Sequence, residues 1–173
     1  MRCKLHTPND DYVELLLFRN VSNANHILDR MLQGEFSAAF LQAALIPDLF
    51  LTLVATSKAV CDMQHASMST RNLFTEIVYN MSATRNISKA LKTFGIRENT
   101  AQMLVIIPHP QSSQIDNIRL AINGEEIPLT VTSVKDAFDE EAVKSVYAIS
   151  EKELACGTLV DSIATRMACR DVK

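Results

Sequence analysis

The chain has no tryptophan and only four glycines, Gly34, Gly95, Gly124 and Gly157. Each glycine stands alone, so neither a Walker loop nor a dinucleotide fingerprint can be written through them. The G-x-S-x-G elbow of serine hydrolases is absent too. The four cysteines, Cys3, Cys61, Cys156 and Cys169, form no CxxC pair. They read as free, mostly packing thiols of a reducing compartment. Cys61 and His65 stand four apart on an expected helix, but His6, His26 and His109 supply no second pair for a zinc site. A surface histidine near a packed cysteine is the simpler reading, and no metal or cofactor is expected.

A basic excess is also missing. Lys and Arg total 17 against 20 Asp and Glu, for a net charge of −3 and a pI of about 5.8. Phosphate neutralisation supplies most of the affinity of an autonomous nucleic-acid binder. Any RNA contact should therefore be local, or shared with a basic partner. No apolar stretch approaches the ~20 residues needed to span a bilayer. The start, "MRCKLHTPNDDYVELLL", has no small-residue cleavage site after its short apolar run. The expectation is a protein of the cytoplasm and nucleus with no membrane contact. The triplets at Asn20, Asn80 and Asn86 are then accidental.

What is present is a globular composition. Hydrophobic residues make up 47% of 173. A chain of this size buries roughly 70% of its unfolded surface without a disulfide or metal. One domain over 1–173 is expected. "YVELLLFRNV" and "AQMLVIIPHP" read as buried strands, the second halted by Pro108 and Pro110. Ser22 or Asn23 caps a helix in "ANHILDRMLQ", ended by Gly34. "SAAFLQAALI" reads as a short helix, and Pro47 opens another in "PDLFLTLVATSKAVCDMQHA". "TRNLFTEIVYNMS" begins polar and ends as a strand, and Asn86 caps the helix "ISKALKTF", with Gly95 as its stop. "SSQIDNIRLAI" is a helix, Asn123-Gly124 a turn, and "EEIPLTV" an extended edge. "DEEAVKSVYAIS" begins as a helix and ends extended. Ser150 and Glu153 form a capping-box pattern that introduces one last helix, "ELACGTLVDSIATRMACRD". This mixture predicts an α/β or α+β domain with a small, mostly antiparallel or mixed sheet packed against several helices.

Two carboxylate features invite a catalytic reading. Asp139, Glu140 and Glu141 cluster, but three acids opening a helix complement its dipole. Glu76 beside Arg71 resembles a general base near a cation. An ion-paired or edge-facing Glu explains it as well, and no nucleophile or metal set accompanies it. In "FTEIVYNMSATRNISKALKTFGI", read as strand, loop and helix, the loop and first helical turn carry Arg85, Asn86 and Lys89. Free N–H groups and a partial positive charge there attract anions. A capped surface helix with solvated cations is the competing reading.

Four blocks taken together resemble a known family: "VELLLFRNVSNA", "LVATSKAV", "TRNLFTEIVYNMSATRNISKALKTFGI" and "GTLVDSIATRMACRDV". They are similar to the PRPK-binding protein (TPRKB) family, the kinase-binding small subunit of the KEOPS (EKC) complex. Order and spacing agree over almost the whole chain. Residues 36–50 depart, with "IPDLF" where the family has an aspartate–proline–phenylalanine step, and residues 111–140 match weakly.

The resemblance implies a non-enzymatic role. The complex transfers threonylcarbamoyl to the adenosine beside the anticodon of tRNAs reading codons that start with A, and another subunit performs the transfer. Family members dock on a small atypical kinase, which acts largely as an ATPase, and stimulate it. A contact with the tRNA 3′ end is also implied. On that footing Val160, Ile163 and Met167 of the last helix are expected to help meet the kinase, unless the whole stripe is core. Lys58, Arg71, Arg85, Asn86 and Lys89 are the tRNA candidates, with Ile87 packing on a base or ribose. A stand-alone RNA-binding module, or a small enzyme using Glu76 and Arg71, are the alternatives.

Overall fold

The two apolar runs pair to form the centre of the protein. In the computed structural model, which describes residues 1–171, strand β2 (Tyr12–Arg19) lies antiparallel to a strand over Met103–Pro108, with Val13 opposite Pro108 and Phe18 opposite Met103. Both strands are buried on both faces, which explains why they read as near-continuous apolar runs rather than alternations. Val13, Leu15, Leu17, Leu104 and Ile106 face one core; Leu16, Phe18, Met103, Val105 and Ile107 face the other.

The remaining elements follow in chain order. β1 (Arg2–Lys4) pairs with the start of β2, and α1 (Ala24–Leu32) covers the second core. Gly34, at φ +78°, turns the chain beyond α1. β3 (Ala39–Gln42) pairs antiparallel with the Met103–Pro108 strand. Next come α2 (Leu49–Gln64), α3 (Leu73–Asn80) and α4 (Ile87–Phe94), and then that strand, β4. α5 (Ser112–Ala121), β5 (Glu125–Ile127), α6 (Val131–Ala137) and α7 (Glu140–Tyr147) lead to α8 (Glu151–Leu154) and α9 (Leu159–Cys169). The sheet of the described residues runs β1-β2-β4-β3, with β5 also pairing β2, and every pairing is antiparallel. It is the α+β arrangement expected.

Four local expectations are corrected. "SAAFLQAALI" is not an α-helix: it carries β3, and only Ala43–Leu45 forms a single 3-10 turn. Ala38 and Phe40 enter one core while Ala39 and Leu41 enter the other, so sheet pairing overrides the helical preference of Ala and Leu. "LFTEIVYN" is a helix, not a strand. Asn72 Oδ1 accepts the Thr75 N–H at 2.9 Å, and Ile77 and Val78 are buried as the helix packs against α2.

The last helix is two: Ser150 accepts the Glu153 N–H at 3.4 Å, without the reciprocal bond of a capping box, and caps only the four residues of α8. A capping box between Thr158 and Asp161 opens α9. Finally, the extended reading of "EEIPLTV" holds only as far as Ile127. Thr130 then caps α6, accepting the Ser133 N–H at 3.1 Å. Val172, in the last family-like block, lies outside the described residues, as does Lys173.

Gly95 does stop α4, though with ordinary extended angles. A Cβ there would lie 2.6 Å from the Leu91 carbonyl oxygen, and this close approach requires the glycine.

Candidate functional site

The loop between α3 and α4 is where most of the expected ligand-binding residues stand, and it is built from short-range hydrogen bonds. Ser82 Oγ accepts the Thr84 N–H at 3.1 Å, and Thr84 Oγ1 accepts the Asn86 N–H at 3.2 Å. Asn86 Oδ1 accepts the Lys89 N–H at 2.9 Å and so caps α4. These hydroxyl and amide groups satisfy donors that the loop and first helical turn would leave open. No glycine is needed in this turn. With Asn86 committed to the cap, Arg85 and Lys89 carry the exposed charge and Ile87 is half-buried.

The end of α9 holds this corner in place. Arg170 lies just beyond α9, with its side chain 1% exposed. Its Nη1 donates to the carbonyls of Tyr79 (2.8 Å) and Ser82 (3.4 Å), and Nη2 donates to Asn80 Oδ1 (2.9 Å). The guanidinium also stacks on the Tyr79 ring, 4.0 Å from its centroid. A cation on the last carbonyls of a helix complements its dipole.

Asn80 in turn donates to the Ala55 carbonyl of α2 at 3.4 Å. The buried Tyr147 hydroxyl donates to the Met81 carbonyl, and burial holds that hydroxyl well above its usual pKa. Three helices and one tyrosine thus fix a single turn. Arg85 Nε returns to the network by donating to the Arg170 carbonyl at 2.8 Å.

Lys58 reaches the same corner from α2. Its ammonium pairs with Asp62 at 2.7 Å and lies 3.8 Å from Asp171. Asp171 takes both oxygens to Arg170, accepting from Nε at 3.1 Å and Nη2 at 3.0 Å. Arg170, and after it Lys58 and Arg85, hold the Asp171 carboxyl below the usual carboxylate range. The structure therefore brings Lys58 and Arg85 together, with Lys89 one helical turn beyond Arg85.

Arg71 is not part of this cluster. It is exposed on the loop before α3, at the opposite end of that helix from Tyr79, Asn80 and Ser82. Glu76 is 1% exposed and accepts the Thr70 N–H at 2.6 Å, which closes the loop leading into α3. That bond gives the Glu76 carboxylate a structural task. His65 donates from Nδ1 to the Cys61 carbonyl at 2.8 Å, as a helix-end contact rather than a partner of the thiol. Among the described residues no group of three or more His, Cys, Asp or Glu side chains is placed to hold a metal. No helix among them is long and apolar enough to cross a membrane.

The expected partner-facing stripe of α9 is corrected in part. Ile163 is 0% and Met167 6% exposed, both packed in the core that includes Leu15 and Ile77, on a helix that packs against α2 and α8. Val160 is half-buried at that core's margin. Exposed apolar side chains stand on several elements, Leu32, Leu120 and Val131 among them; on α2 they include Phe50 and Val54, 55% and 40% exposed. Phe50, Val54 and Lys58 recur at helical spacing, so one stripe of α2 runs from apolar residues to the cationic corner.

Arg170 and its partners escaped the sequence reading. A signal was present: Asn80 and Ser82 follow an apolar run, and polar groups buried there require a donor from elsewhere.

A sheet covered by helices, with a rigid corner bordered by cations, defines a small α+β protein without a recognisable catalytic constellation among its described residues. The chain belongs to the CGI-121 family: the family model described as "Kinase binding protein CGI-121" matches residues 18–171. It is 36% identical over 162 residues to the EKC/KEOPS complex subunit TPRKB of Danio rerio, covering 92% of this chain and 91% of the relative. It is 26% identical over 179 residues to the EKC/KEOPS complex subunit cgi121 of Aspergillus fumigatus, covering 94% of each. The Gibberella zeae subunit CGI121 is 27% identical over 157 residues, covering 84% of this chain and 80% of the relative.

Proposed function

We propose that the chain is a non-catalytic subunit of an EKC/KEOPS complex. In this reading it docks on the complex's small atypical kinase, stimulates its ATPase activity, and supports formation of threonylcarbamoyl-adenosine next to the tRNA anticodon. It also helps hold the tRNA 3′ end, while the transferase and the other subunits are indirect partners. The family description and the relatives' names support the assembly.

One structural observation carries the site-level reading. The segments 70–96 and 157–171 meet at Arg170, which locks Tyr79, Asn80 and Ser82, and at Arg85, which returns to Arg170. A surface fixed in this way loses little freedom on binding. The kinase is met by the exposed apolar part of α2, Phe50 and Val54, with Val160 of α9, since a docking patch must survive folding. The RNA is met at the cationic end of the same stripe, by Lys58, Arg85 and Lys89, with Arg71 apart from them on the loop before α3. The small number of cations suits a contact shared with other subunits better than stand-alone RNA binding.

The test is affinity purification of the tagged chain from its own cells. Recovery of the atypical kinase and the transferase subunit is the expected result. Recovery of RNA without either protein would replace this reading by the stand-alone module.

A further inference from the structure

The guanidinium of Arg170 has two sides with different tasks. Nη1 and one hydrogen of Nη2 are occupied by Tyr79, Ser82 and Asn80. The other edge, Nε with Nη2, faces Asp171, whose side chain is 50% exposed. Two parallel N–H groups on one edge match two oxygens of a carboxylate or of a phosphate equally well. This edge is rigid before any ligand arrives, because the rest of the side chain is buried and bonded. Lys58 stands 3.8 Å from the same Asp171 oxygen, and Arg85 is anchored to the Arg170 carbonyl. Asp171, half exposed, covers the Nε/Nη2 edge of its own neighbour and belongs to neither apolar core.

We propose that the Nε/Nη2 edge of Arg170, flanked by Lys58 and Arg85, is a phosphate-binding site, and that Asp171 is the counter-anion that fills it in the free chain. The phosphodiester of RNA is the source implied by the tRNA reading, on which this identification of the ligand rests; the site itself does not. Asp171 then acts as a selectivity element. A small anion has to displace it with one contact, whereas a polyanion brings several contacts at once. If the carboxylate occupies the edge nine-tenths of the time, it weakens the apparent affinity about tenfold.

The test uses the full chain labelled with 15N, reading the Arg170 Nε resonance while inorganic phosphate is added. In Asp171→Asn the resonance should shift and saturate at a phosphate concentration about tenfold below that needed by the parent. Asp171→Ser, which offers no second oxygen, should behave alike. Asp62→Asn removes an equal charge from the other Lys58 partner and should stay within about twofold of the parent. A second arm measures tRNA binding against salt. There Asp171→Asn should bind several-fold more tightly and steepen the salt dependence by about 0.7, the value for one added single-strand phosphate contact. No Arg170 shift in either Asp171 variant overturns the site, as does an equal gain in Asp62→Asn. A phosphate shift with no tRNA binding by any form upholds the site and removes the RNA reading instead.

Discussion

Arg170 and Tyr79 are joined twice: Nη1 donates to the Tyr79 carbonyl at 2.8 Å, and the guanidinium lies over the ring at 4.0 Å. The residues are 91 positions apart in the chain, so this contact links its last helix to the end of α3. Arg170→Met removes the donor and leaves the Tyr79 and Ser82 carbonyls and Asn80 Oδ1 without it. The expected cost is about 3 kcal/mol in urea unfolding, the magnitude for buried acceptors that lose a charged donor. Arg170→Lys should recover less than half, since one ammonium cannot reproduce the fork.

The division of α9 into core and margin makes a contrasting pair of variants. Ile163→Ala opens a cavity in a fully buried position and should cost about 3 kcal/mol. Val160→Arg replaces a half-buried residue, and should leave the chain folded while weakening kinase binding. Equal stability loss in both would contradict the assignment of faces.

The cap and the charges of α4 separate in the same way. Asn86→Ala should cost about 1 kcal/mol of stability. Lys89→Glu should change stability by less than about 0.5 kcal/mol, yet lower tRNA binding by the assembled complex. Thermal melting and a salt-controlled binding titration read the two effects independently.

Glu153 gives the acid limb of stability a definite origin. Arg166 donates to both of its oxygens, from Nη2 at 2.8 Å and also from Nη1, and holds its carboxyl at about 2. A carboxylate depressed on folding contributes fully above its unfolded pKa of about 4.3 and loses that contribution as the pH falls toward the folded value. Glu153→Gln should therefore be less stable than the parent at pH 7. The gap should narrow between about pH 4.3 and 2, as measured by urea midpoints across that range.

Much of this architecture could be read before the structure, for identifiable reasons. β2 and β4 were plain because they are buried on both faces, and α4 because Asn86 is a local cap. α3 reads as a strand in sequence because Ile77 and Val78 are β-branched, although Asn72 three positions before Thr75 marks a helix start. β3 reads as a helix because its alanines favour one, whereas its pairing with β4 is a non-local fact. That Lys58, Arg85 and Lys89 carry charge is plain in the sequence; that Lys58 and Arg85 share one corner is not, because it depends on Asp171 and Arg170. Nor is the role of Arg170 plain, because burial of a guanidinium depends on acceptors distant in the chain. The stripe of Val160, Ile163 and Met167 does not by itself say which of its members turn into the core, so the burial of Ile163 and Met167 is visible only in the structure.

The central claim is that this chain acts by docking on the atypical kinase through the exposed apolar part of α2. The direct measurement is the ATP-hydrolysis rate of the purified kinase from the same organism, titrated with the parent chain and with Phe50→Asp. The parent should raise the rate saturably. Phe50→Asp, with its melting temperature unchanged because Phe50 is 55% exposed, should need at least about tenfold more protein, equivalent to about 1.4 kcal/mol of binding. An unchanged rate with the parent, or identical titrations for both chains, would contradict the account.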